Sequence, residues 1–200
     1  MKGSVVIISF FILGVLLGRF NLLPDTLLNN DFSIYALYLL MFLVGISIGS
    51  DEKAIRAIRN QSLKIFLIPI GTILGTLIGV YLISFFITNR SAADCLAIGS
   101  GFGYYSLSSI FITEYKGAEM GVIALMSNII RELFTLLFSP LLVMWFGKLA
   151  PISAGGATTA DTTLPIIAKY SGNEFVVIAI THGVLIDFSV PFLVTFFCKI

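Results

Sequence analysis

The sequence predicts an all-α integral membrane protein that crosses the bilayer about seven times, two of the crossings being broken or re-entrant helices. Three observations carry that prediction. First, 58% of the 200 residues are hydrophobic and only 12% are charged, whereas soluble domains carry about 25% charged residues. Second, the apolar residues gather in runs of about 20, the length that spans a bilayer, and mean hydropathy is +1.02. Third, two further stretches are long enough to cross but are crowded with Gly, Ser and Thr, residues that weaken helices or compete for their backbone. A formal charge of +1 gives no basic surface for nucleic acid.

The elements follow in order. Lys2 precedes an apolar run over 3–20, but no small-x-small cleavage site follows, so 3–20 reads as an uncleaved first span. Residues 32–50 and 63–87 are the second and third. Between them "SDEKAIRAIRNQSLK" (50–64) holds Lys53, Arg56, Arg59 and Lys64, the densest basic cluster in the chain. By the positive-inside rule this loop is cytoplasmic, which places the N-terminus inside and, after seven crossings, the C-terminus outside. Residues 91–112 are the first weak crossing and contain "IGSGFGYYSLSS" (98–109). Residues 119–146 form a strong span, 150–170 ("APISAGGATTADTTLPIIAKY") the second weak one, and 174–198 the last. The chain reads as a single transmembrane domain over 1–200, with a three-span half (1–87) and a core (91–198). Cys95 and Cys198 are isolated and form no CxxC or Cys/His pattern, so no metal or other cofactor is expected.

Charges in the membrane interior are expensive, at roughly 2.5–3.5 kcal/mol on insertion scales, and ionisable residues there are functional candidates. In 119–146, Asn128, Glu132, Thr135 and Ser139 recur at i, i+4, i+7 and i+11 and share one helical face. Arg131 lies about 100° away from Glu132 around the helix, so sequence neighbours do not neutralise each other there. Glu132 can bind a cation or take up a proton. The last span adds His182, Asp187 and Ser189; His182 suits either an interhelical hydrogen bond or proton carriage. Irregular backbone at membrane depth is tolerated where it lines a cavity, and secondary transporters bind substrates at such broken helices. Gly101, Gly103, Tyr104, Tyr105 and Ser106 in one weak crossing, and Thr159, Asp161 and Thr162 in the other, are therefore candidate site residues. Thr158 and Thr163 are placed to satisfy freed backbone groups, and the two tyrosines to pack or to make cation–π contacts.

With "SGFGYYSLS" (100–108), "RE" (131–132), "GATTADTTLP" (156–165) and "HG" (182–183) in this order, the sequence resembles the lysine exporter LysO family over essentially its whole length. The resemblance implies a multi-pass carrier of the bacterial inner membrane that exports L-lysine and its toxic analogues in exchange for protons. The family's intramembrane acids map onto Glu132 and Asp161, while Asp187 looks like a local addition. Family members usually open with about three further spans. Two three-span copies would sit inverted, as in many secondary transporters, so this chain is expected to lack the first copy and to need a small three-span partner or a homodimer. A cation channel lined by the same polar stripe is the alternative. An enzyme is not indicated: "IGSG" around Ser100 is not Gly-x-Ser-Gly, no Gly-x-Gly-Asp occurs, and no GxxxxGK phosphate loop is present.

Overall fold

A computed structural model describes residues 63–200, together with isolated positions between 13 and 50. The predicted spans 3–20 and 32–50 and the basic loop fall largely outside the described residues. The chain divides into two compact units, Met1–Leu40 and Met41–Ile200, and the elements below belong to the second.

Every regular element among the described residues is helical. A 3₁₀ turn, Leu63–Phe66, leads into α1 (Leu67–Ser84). Helix α2 (Ala92–Gly99) starts on a capping box in which the Ser91 hydroxyl accepts from the Asp94 N–H and the Asp94 carboxylate accepts from the Ser91 N–H. After an interruption come α3 (Tyr105–Lys116) and the long α4 (Ala118–Phe146). Helix α5 (Ala150–Gly155) runs into a 3₁₀ turn, Gly156–Ala160, and then into α6 (Leu164–Ser171). Both short helices carry proline in their first turn, Pro151 and Pro165, where the missing N–H has no helical partner to lose. Last comes α7 (Val176–Lys199), extended at its start by a 3₁₀ turn over Asn173–Phe175. The 91–112 stretch is thus two helices around an irregular link. The 150–170 stretch is two short helices around a 3₁₀ turn.

Among the described residues, three helices are long and apolar enough to cross a membrane: Leu67–Ser84, Ala118–Phe146 and Asn173–Lys199. Their polarity is arranged inside out. On α4, Val122, Met126, Ile130, Leu133 and Leu137 are exposed, while Asn128, Thr135 and Ser139 are buried. The same reversal holds on α7, where Phe188, Phe192 and Phe196 face outward and Thr181 and His182 inward. An apolar shell around hydrogen-bonded polar groups is what a lipid solvent selects, because lipid tails satisfy no polar group. The thrifty packing of α4 follows: Thr135 donates to the Arg131 carbonyl and Ser139 to the Thr135 carbonyl, closing the stripe on its own helix. Packing then centres on α7, which lies against α2, α3 and the 3₁₀ turn after α5, while α3 lies along α4.

Candidate functional site

The first interruption runs from Ser100 to Tyr104. Its amides fall back on tight turns, with the Gly101 N–H on the Ile98 carbonyl at 3.2 Å and the Tyr104 N–H on the Gly101 carbonyl at 2.7 Å. Phe102 holds a positive φ of 45°, unusual for a bulky side chain, and is wholly buried. The Gly103 N–H, left without a backbone partner, donates to the Asn128 side-chain oxygen at 2.7 Å. The Asn128 amide in turn donates to the carbonyls of Ala124 (2.9 Å) and Ile98 (3.3 Å). One side chain of α4 thus holds both sides of the break.

The second interruption supplies its own partners. The Thr158 hydroxyl donates to the Gly155 carbonyl at 3.0 Å and meets the Thr163 hydroxyl at 3.2 Å. The Thr159 hydroxyl reaches the carbonyls of Gly156 at 2.7 Å and of Ala179 at 2.9 Å, with His182 Nδ1 at 3.2 Å. His182 Nε2 lies 3.0 Å from the Thr72 hydroxyl on α1. A neutral imidazole satisfies this chain: Thr159 gives its proton to a carbonyl and accepts from Nδ1–H, and Thr72 donates to Nε2. His182 is buried and bridges α1 to the second break.

The two interruptions touch through their backbones. The Ala157 N–H donates to the Phe102 carbonyl at 2.9 Å. Gly156, at φ 62°, sits so close beneath that carbonyl that a Cβ there would collide with it. Arg131 reinforces the crossing. Its Nε donates to the Ala154 carbonyl at 2.8 Å and its Nη2 to the Ser153 carbonyl at 3.0 Å, groups that the end of α5 leaves without helical partners. Its guanidinium carbon lies 5.8 Å from the centre of the Phe102 ring.

Around this crossing the structure gathers a small pocket of about 130 Å³, lined by Gly103, Tyr104, Tyr105, Ser106, Glu132, Ala157, Thr158, Asp161, Thr162 and Asp187. Ser106, Asp161 and Thr162 are exposed, while Glu132, Asp187 and both tyrosines are half-buried. The Asp161 carboxylate accepts from the Thr162 N–H at 2.5 Å. Three carboxylates line the pocket, and among the described residues no Lys, Arg or His does. The ion pairs among the described residues, Arg90–Glu119, Lys116–Asp94 and Lys148–Glu174, all lie elsewhere. Such a lining is completed electrostatically by cations or by protons.

Eight of the thirteen sequence-derived candidates therefore line one pocket: Glu132, Asp161, Asp187, Gly103, Tyr104, Tyr105, Ser106 and Thr162. The other five, Asn128, Arg131, Gly101, Thr159 and His182, are not among its lining residues. Four of them brace the breaks as described, and Gly101 leaves the space that the Asn128 amide fills. Ser100 donates to its own helix, to the Leu96 carbonyl at 2.7 Å. Sequence reasoning missed Phe102 and Ala157, whose contribution is a backbone contact. It also missed Thr72 and Thr76 on α1, whose only signal was two hydroxyls four residues apart in an apolar helix.

Broken helices that meet beside an acid-lined pocket, inside an apolar shell, define a multi-pass membrane transport protein rather than an enzyme. The chain belongs to the lysine exporter LysO family, whose profile matches residues 8–198. It is 35% identical over 192 residues to a Haemophilus influenzae protein named "Putative lysine exporter", covering 96% of each chain. It is 33% identical over 171 residues to the Escherichia coli protein named "Lysine exporter LysO", covering 84% of this chain and 55% of that one. The chain thus spans about half the length of the E. coli relative. No solved structure matches it.

Proposed function

We propose that this protein exports L-lysine from the cytoplasm across a bacterial inner membrane, in exchange for protons. The observation that carries the reading is the pocket lined by three carboxylates and, among the described residues, by no cationic side chain. L-lysine brings two ammonium groups and one carboxylate, so its excess positive charge matches a site of that sign. The names of the two relatives point to the same cargo. Glu132 and Asp161 carry cation recognition and proton coupling. Alternation between an ammonium and a proton at these carboxylates is antiport. Tyr104 and Tyr105 cover the alkyl stem.

The same reading gives seven crossings, with α2–α3 and α5–α6 as two broken ones, in an inverted-repeat arrangement. The N-terminus is cytoplasmic and the C-terminus outside. A second copy of the chain, or a small three-span membrane protein, completes the carrier.

The test is efflux of preloaded labelled lysine from cells expressing this chain, wild type beside Glu132→Gln. Export by the wild type that falls at least about a hundredfold in the variant, at equal membrane levels, is expected. Equal efflux from both would remove Glu132 from the mechanism. Silence of a well-expressed wild type, persisting on co-expression with a three-span partner, would overturn lysine as the cargo.

A further inference from the structure

Arg131 stands on the far side of the crossed breaks from the acids, and its surroundings are unlike theirs. Its guanidinium has five N–H donors. Three are committed: Nε to Ala154, one on Nη2 to Ser153, and one on Nη1 to the Thr76 hydroxyl at 3.3 Å. Nη1 and Nη2 each keep one N–H without a partner among the described residues. All three occupied partners are neutral oxygens, and none of the ion pairs among the described residues includes Arg131. A half-buried cation without a counter-charge among the described residues is a costly arrangement for structure alone, and capping two carbonyls needs no charge.

Two cavities open onto this group. One of about 310 Å³ lies among α1, α2 and α4, and one of about 430 Å³ among α1, α4 and α5; Thr76 and Arg131 line both. Two glycines of the crossed breaks come close to Arg131. A Cβ on Gly103 would lie 4.0 Å from Arg131 Cδ, and one on Gly156 only 3.3 Å from Nη2. Gly103 itself lines the acid pocket. Gly103 thus neighbours both Arg131 and the acid pocket, and its backbone forms part of the partition between them.

We propose that Arg131 reads the carboxylate of the amino-acid cargo as it passes between the acid pocket and the α1-side cavities. The inference rests on the export function proposed above and adds the group that distinguishes an amino acid from a diamine. The two uncommitted N–H groups form the fork that a carboxylate accepts, while the ammonium groups face Glu132, Asp161 and Asp187. Opening the partition brings the two halves of the site onto one zwitterion. Arg131 is thus a specificity residue as well as a brace.

Efflux of labelled lysine and of labelled 1,5-diaminopentane, which keeps both ammoniums and lacks the carboxylate, separates these roles. The wild type is expected to prefer lysine by about tenfold or more. Arg131→Gln retains an N–H for the α5 carbonyls but cannot offer the charged fork. In it the internal lysine concentration for half-maximal efflux should rise about tenfold, with that for the diamine shifting less than about twofold. Parallel loss of both cargoes, or an unchanged preference, would overturn the proposal. If Arg131→Gln fails to reach the membrane, the same ratio is read in Arg131→Lys: a reduced preference supports the fork and an unchanged one overturns it. Failure of the wild type to move lysine would overturn the export function itself, and this inference with it.

Discussion

The two interrupted stretches solve the same problem in opposite ways. The link Ser100–Tyr104 cannot satisfy its own Gly103 N–H and borrows an acceptor from Asn128, 25 residues away on α4. The link from Gly156 to Thr163 supplies part of its own capping, since Thr158, Thr159 and Thr163 bond groups within a few residues, and Thr159 adds ties to Ala179 and His182 on α7. The first break therefore leans on α4 for the amide it cannot satisfy, whereas the second divides its hydrogen bonds between its own threonines and α7.

Three substitutions break or sharpen that comparison. The largest effect is expected from Gly156→Val, which strikes both links at once. Its side chain would occupy the place of the Phe102 carbonyl and hold a branched residue at φ 62°. Backbone strain of about 1–3 kcal/mol adds to the loss of the Ala157–Phe102 hydrogen bond and of the packing around it. The total, about 4 kcal/mol, approaches the whole stability of a small protein, so the variant should be absent from membranes by immunoblot. Wild-type levels would show that the two breaks need not touch.

Asn128→Ala comes next, at about 2–3 kcal/mol, because it strands the buried Gly103 N–H. Thermal unfolding in detergent measures the loss. Hydrogen exchange should quicken over 98–106 and stay unchanged over 156–164. Equal quickening of both would show that the second break also leans on α4.

The smallest effect is expected from Thr158→Val, which conserves shape and removes one hydroxyl, at about 1 kcal/mol. Here exchange should quicken around 155–163 alone. A loss as large as that of Asn128→Ala would mean that the second break is no more self-sufficient than the first.

Much of this architecture was legible in the residues. Glycines and threonines in otherwise apolar stretches marked both interruptions, because such residues are out of place in a continuous spanning helix. Glu132, Asp161 and Asp187 stood out for their chemistry, and the structure lines one pocket with all three. What the residues could not convey was the division of labour behind them. Asn128 lies one helical turn before Glu132 and reads as its partner on a polar face, but the Gly103 amide reaches it first. Arg131 shows in the sequence only as a charge set about 100° from Glu132, and its bonds go to carbonyls that are free only because α5 ends where it does. The meeting of Phe102 and Ala157 is made by main-chain atoms that every residue possesses, so no pattern of side chains announces it.

The His182–Thr72 hydrogen bond joins residues 110 positions apart, and that separation bears on how the protein is made. During synthesis α1 enters the membrane long before α7 has been translated. Until α7 arrives, the second break lacks the Ala179 carbonyl and the imidazole that hold Thr159, and the pocket lacks Asp187. The last helix is therefore the keystone of assembly. A half-inserted chain has no finished pocket.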